Sequence, residues 1–140
     1  RWQIDCLVRL SKIADGLGLQ IMCEPLGTDH DTAEVIATIL DSVPGMALHL
    51  DIGHSNLAGK KPVEVIKKFG SRIGHVHFSD NNGREDLHLP IGVGVIDWKA
   101  VIQALKGVGY DKTITLEVFC PDRDYMLISR DKIRKLWDTV

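Results

Sequence analysis

Residues 75–98 read HVHFSDNNGREDLHLPIGVGVIDW, and the fold follows from how this stretch is read. It opens as a strand that ends at Ser79 and crosses a polar loop carrying Asp80, Asp86 and His88. It then meets Gly92 and Gly94 and restarts as a helix at Asp97-Trp98. Its three histidines and three aspartates are residue types that bind divalent metals. A strand, a chemistry-bearing loop and a helix thus follow one another without a break.

The same unit recurs on either side. Residues 1–18 place Cys6, Leu7, Leu10, Ile13, Ala14 and Leu17 at helical spacing, and Gly16 and Gly18 end the pattern. The apolar run LQIMCEPL, 19–26, reads as a strand with Glu24 at its tip, because Pro25 stops the ladder. Asp31 and Glu34 stand at capping-box spacing before a helix whose apolar side is Val35, Ile36, Ile39, Leu40 and Val43, closed by Pro44-Gly45. MALHLDIGH, 46–54, is the next strand, with Asp51 and His54 around Gly53 at its end. A third helix starts at Pro62, uses Val63, Ile66 and Phe69, and stops at Gly70.

Beyond the opening stretch, Asp97 caps a helix built on Trp98, Val101, Ile102 and Leu105, which Gly107 and Gly109 close. TITLEVF, 113–119, is a fourth strand ending near Glu117. Ile133, Leu136, Trp137 and Val140 mark a last helix with Ser129 as its cap. Lys60-Lys61 and Lys67-Lys68 read as solvated helix faces.

Alternating strands and helices imply a parallel sheet, and strand parity selects the kind. Glu24, Asp51, His77 and Glu117 share one face with Met22, His49, His75 and Thr115. The opposite face receives Ile21, Cys23, Leu48, Leu50, Val76, Phe78, Ile114, Leu116 and Val118. A doubly wound sheet, covered by helices on both sides, should be apolar on both. One apolar face and one polar face fit a barrel wall whose inner side opens into a site at the C-terminal strand ends. Such a (β/α)8 TIM barrel has eight strands and about 250 residues. Residues 1–140 offer four strand-helix units and therefore read as half of one such domain, with its N-terminal half expected to be missing. Two free sheet edges call for a missing N-terminal half or for closure by a second copy, a homo-oligomer.

Composition agrees with an ordinary globular chain: 140 residues, 44% hydrophobic, net charge -2. This charge gives no general pull toward nucleic acid or an acidic membrane surface, and no apolar run is long enough to span a bilayer. Three widely spaced cysteines, Cys6, Cys23 and Cys120, form no CxxC. They suit a reduced cytoplasmic protein in which all three are structural.

The series CEPL, LDIGH, HVHFSD with DLHLPIGVGVIDW, and TLEVF resembles the last four strands of the xylose isomerase-like barrels, over nearly the whole chain. That superfamily holds sugar phosphate isomerases and epimerases together with AP endonuclease family 2. The resemblance implies that Glu24, Asp51, His77 and Glu117 bind one divalent metal, Mn2+, Mg2+ or Zn2+. Glu24 and Glu117 would also be the catalytic acid/base pair, moving a proton through an enediolate of a sugar or sugar phosphate. His54 would lie near metal or substrate, and Asp86 with His88 matches the D-x-H that holds a further zinc in the endonucleases. Many relatives carry glutamate where this chain has Val93.

The residues themselves support this assignment, since three carboxylates and one imidazole form a mainly hard ligand set. His49 and His75, deeper in the lumen, read as hydrogen-bonded structural residues, and Asp80 reads as a turn residue or a partner behind the ligands. Gly92 and Gly94 suit either a phosphate approaching backbone N–H groups or a tight turn. Arg84 suits either a contact with a substrate oxygen or an exposed loop. Two further readings stay open: an endonuclease IV-like zinc phosphodiesterase acting on DNA, and a half-barrel fragment without catalysis.

Overall fold

Four short strands form a parallel sheet in the order in which they occur: β1 (Met22–Cys23), β2 (Ala47–Asp51), β3 (Ile73–Phe78) and β4 (Ile114–Leu116). The computed structural model describes residues 2–59 and 61–140, so Lys60 of the solvated face lies outside the described residues. Five α-helices alternate with the strands: α1 (Trp2–Gly16), α2 (Ala33–Ser42), α3 (Pro62–Phe69), α4 (Trp98–Gly107) and α5 (Asp124–Thr139). Strand order never reverses, as in a barrel wall and unlike a doubly wound sheet.

The two faces differ as the alternation requires. Leu48, Leu50, Val76 and Phe78 are buried in one core with Ile36 and Leu40 of α2, Ile66 and Phe69 of α3, and Val101, Ile102 and Leu105 of α4. Each such side chain contributes about 2 kcal/mol of transfer free energy. On the opposite face His49, His75 and His77 are half-buried and Thr115 is exposed. A polar face without covering helices is the inner side of a partial (β/α) barrel.

Sheet position changes four local expectations. The outer strands β1 and β4 are shorter than 19–26 and 113–119, because each has a ladder partner on one side only. In α1, Ile4, Leu7, Val8, Ser11 and Ala14 face the core and α2, while Cys6, Leu10 and Ile13, and Leu17 just beyond the helix, are exposed. Both sides of that helix are apolar, so spacing alone could not say which one packs.

The cap of α2 is Thr32, whose side chain accepts from the Val35 N–H, rather than Asp31. The Asp31 carboxylate instead accepts from the backbone N–H groups of Leu26 and Thr28 and from the Thr28 hydroxyl, closing the loop after β1. Finally, α5 starts at Asp124, and Ser129 is fully buried inside it. Its hydroxyl donates to Tyr125 O and accepts from the Ile91 N–H at 3.1 Å, tying α5 to the loop before α4.

Asp97 caps α4 as expected, its Oδ1 accepting the Ala100 N–H at 3.0 Å. Asp97→Ala should cost about 1 kcal/mol in denaturant unfolding. A change below a few tenths would show that Trp98 and the rest of the buried face hold this end alone.

Candidate metal centre

Each strand delivers one ligand-type residue at its C-terminal end. Glu24 follows β1 directly before Pro25, Asp51 ends β2, His77 lies in β3 opposite Asp51, and Glu117 follows β4. The Glu117 N–H continues the ladder by donating to Phe78 O at 3.0 Å. The four side chains converge, offering one ligand atom each within 4.8 Å of one another. His77 Nδ1 lies 3.1 Å from Glu117 Oε2, 3.9 Å from Asp51 Oδ2 and 4.0 Å from Glu24 Oε1.

The Gly53 turn orients the aspartate. Asp51 Oδ1 accepts the His54 N–H at 2.9 Å, whereas Oδ2 is buried with no hydrogen-bond partner. Burial also raises the Asp51 carboxyl above its ordinary range. A buried oxygen without a donor, facing an imidazole and two more carboxylates, is a poor resting place for a proton-free carboxylate alone. It is a good one beside a cation. The residues thus fit a divalent metal. A side chain at position 53 would meet Ser79 Oγ at 2.5 Å, so the turn requires glycine.

His54, Asp86 and His88 form a second group beside the first. Asp86 Oδ2 lies 3.1 Å from His54 Nε2 and 3.1 Å from His88 Nε2. His54 Nδ1 lies 3.8 Å from Glu24 Oε1, and His88 Nδ1 sits 3.0 Å from the Glu117 carbonyl. His88 holds φ 46, a left-handed conformation that few residues other than glycine adopt. The exposed Phe119 ring stacks on it, with centroids 4.4 Å apart. Phe119 has the parity of Glu117, which is the signal that would have placed it on the inner face.

Other expected positions resolve differently. Asp80 is fully buried behind the ligands, accepting from the Asn81, Gly92 and Ile96 N–H groups and from Trp98 Nε1. The Gly92 N–H is therefore engaged, and a Cβ at Gly94 would lie 2.1 Å from Asn81 O. The glycines accordingly serve a close-packed turn. Arg84 is exposed, and among the described residues no hydrogen bond or ion pair ties its guanidinium to the ligand clusters.

His75 Nε2 lies 2.9 Å from Thr115 Oγ1, the hydrogen-bonded role expected for it. His49 stands beside Glu24 at 3.4 Å. Burial lowers both imidazoles below their ordinary value of 6.5. Groups whose folded value is depressed add stability above the unfolded value, and that stability is lost as pH falls through the folded one. The melting temperature of the metal-free protein should therefore drop as pH falls below about 6.5. A flat melting temperature between pH 7 and 5 would refute this assignment.

Residues 1–136 match the family model described as xylose isomerase-like TIM barrel. The inosose dehydratase of Geobacillus thermodenitrificans is 29% identical over 157 residues, covering 94% of this chain and 53% of that protein. A solved D-tagatose 3-epimerase-like protein is 28% identical with a TM-score of 0.84, covering 98% of this chain and 54% of its own. A solved IOLI protein with a bound zinc atom is 28% identical with a TM-score of 0.71, covering 97% and 52%. The chain thus spans about half the length of these relatives. With a family match over nearly all its residues and a parallel barrel wall bearing the polar site, the chain belongs to the xylose isomerase-like TIM barrel family.

Proposed function

We propose that the protein is a divalent-metal-dependent isomerase or epimerase acting on a small sugar or sugar phosphate, with Glu24 and Glu117 as its acid/base pair. The observation that carries this reading is the convergence of Glu24, Asp51, His77 and Glu117 at the ends of four successive strands. The epimerase-like and inosose-acting relatives support the substrate class.

Mn2+, Mg2+ or Zn2+ held by these four residues would polarise the carbonyl and hydroxyl oxygens of a bound sugar. The protein's own share is proton handling. Glu24 and Glu117 come from the two outermost strands and reach the centre from opposite sides, so one can remove a proton beside the carbonyl while the other returns it. Opposite-face return gives an epimer, and return to the neighbouring carbon gives an isomer. His54, which lies between Glu24 and Asp86, would hold a substrate hydroxyl.

The open sheet would be closed by further strands, supplied by a longer polypeptide or by a second copy. Exposed Leu10, Ile13 and Leu17 along one edge and Phe119, Leu127 and Ile128 along the other are the apolar surfaces such strands would cover. The grouping of His54, Asp86 and His88 favours, as a second reading, a zinc phosphodiesterase.

Elemental analysis combined with a ketose epimer-exchange assay separates the two. About one metal per chain with exchange of the carbon-bound proton into solvent supports the sugar reading. Two or three zinc ions with phosphodiester cleavage would replace it.

A further inference from the structure

The inner face carries a second arrangement of ligand-type atoms, one layer below the carboxylates. His49 pairs in register with His75, and the next inward pair along the same two strands is Asp51 with His77. Three imidazoles thereby meet edge to face in the lumen, with ring centroids 4.1 Å apart for His49 and His77, 5.1 Å for His49 and His75, and 5.2 Å for His75 and His77. One nitrogen from each lies within 4.8 Å of the others.

Hydrogen bonding accounts for only part of this group. Thr115 engages His75 Nε2, and Glu24 Oε2 lies 3.4 Å from His49 Nδ1. His49 Nε2 is buried with no hydrogen-bond partner. A carboxylate beside one ring nitrogen and an unpartnered second nitrogen is the arrangement by which proteins orient a metal-binding imidazole.

We infer that His49, His75 and His77 form a nitrogen-only seat for a late first-row divalent cation, Ni2+, Cu2+ or Zn2+, distinct from the carboxylate centre and competing with it for His77. Three imidazoles favour these borderline cations, whereas the carboxylate set suits Mn2+ and Mg2+. Because His77 belongs to both groups, a cation drawn into the lower seat takes the only imidazole of the upper one. The competition rests on the carboxylate centre proposed above; the three-nitrogen seat does not.

The test uses Cu2+ and Ni2+ as probes on the purified protein, with His49→Gln and His75→Gln as variants. Electron paramagnetic resonance of the Cu2+ form should show three coordinating nitrogens in the unaltered protein and fewer in each variant. Calorimetry should show Ni2+ affinity falling by at least about 10-fold in both variants while Mn2+ affinity stays within about 3-fold. Added Ni2+ should also release bound Mn2+.

One nitrogen or none around Cu2+ in the unaltered protein would overturn the inference without reliance on any variant. So would Ni2+ and Mn2+ affinities that fall together, which would mean a single centre. Failure of Mn2+ to bind the unaltered protein would remove the metal from the sugar reading and overturn the competition, while the nitrogen count would still decide the seat.

Discussion

Replacing Glu117 with glutamine is expected to lower turnover by about 100-fold to 10,000-fold at saturating metal. Glutamine keeps the length of the side chain and one oxygen that can face the centre. It cannot carry the negative charge or accept the substrate's proton. Glu117 Oε2 is also the carboxylate oxygen nearest His77 Nδ1, at 3.1 Å, so metal affinity should fall along with turnover. Assaying across metal concentrations separates the two contributions, because added metal restores occupancy and leaves the proton-transfer defect. Turnover within about 10-fold of the unaltered protein at full occupancy would remove Glu117 from the acid/base pair. Glu24→Gln is expected to behave in the same way.

The largest structural effect is expected at Asp80. Its carboxylate is fully buried and gathers three backbone N–H groups and the Trp98 indole N–H, at 2.8 to 3.3 Å. Asp80→Ala leaves these donors without their acceptor inside the core, where each unmet group costs about 1–3 kcal/mol. With four such donors the total loss is at least about 4 kcal/mol, which lowers the melting temperature of a chain this size by about 10–20 °C. The loop bearing Asp86 and His88 hangs on the same bonds, so the second cluster should lose its geometry with them. Gly94→Ala should act on the same junction, since its Cβ would collide with Asn81 O at 2.1 Å and Asp80 Oδ1 at 2.3 Å. Urea unfolding of both variants checks this, and a loss below about 1 kcal/mol in each would show that the loop is held elsewhere.

Much of the candidate site was legible because strands alternate strictly. Parity alone put Glu24, Asp51, His77 and Glu117 on one face, and Pro25 and Gly53 marked where that face ends in the first two strands. The role of Asp80 was only half legible. Its opposite parity removed it from the ligand set, but nothing local pointed to Trp98 Nε1, 18 residues on, as its partner. Ser129 misled for a related reason. A serine early in an apolar helical pattern resembles a cap, and only the loop at Ile91 packed against it shows that its hydroxyl works from inside the helix.

The sequence by itself determined the element order and which face of the sheet is apolar and which is polar, because these follow from periodicities of two and of about 3.6 along the chain; the four ligand-type residues on the polar face were singled out by the family resemblance. Tertiary structure decided which side of α1 is buried, how short β1 and β4 are, and that His54, Asp86 and His88 meet beside the first cluster. It alone brought His49 within reach of Glu24 and left one of its nitrogens unpartnered. Those outcomes depend on which strand lies beside which and in what register, and register is set by contacts between segments far apart in sequence.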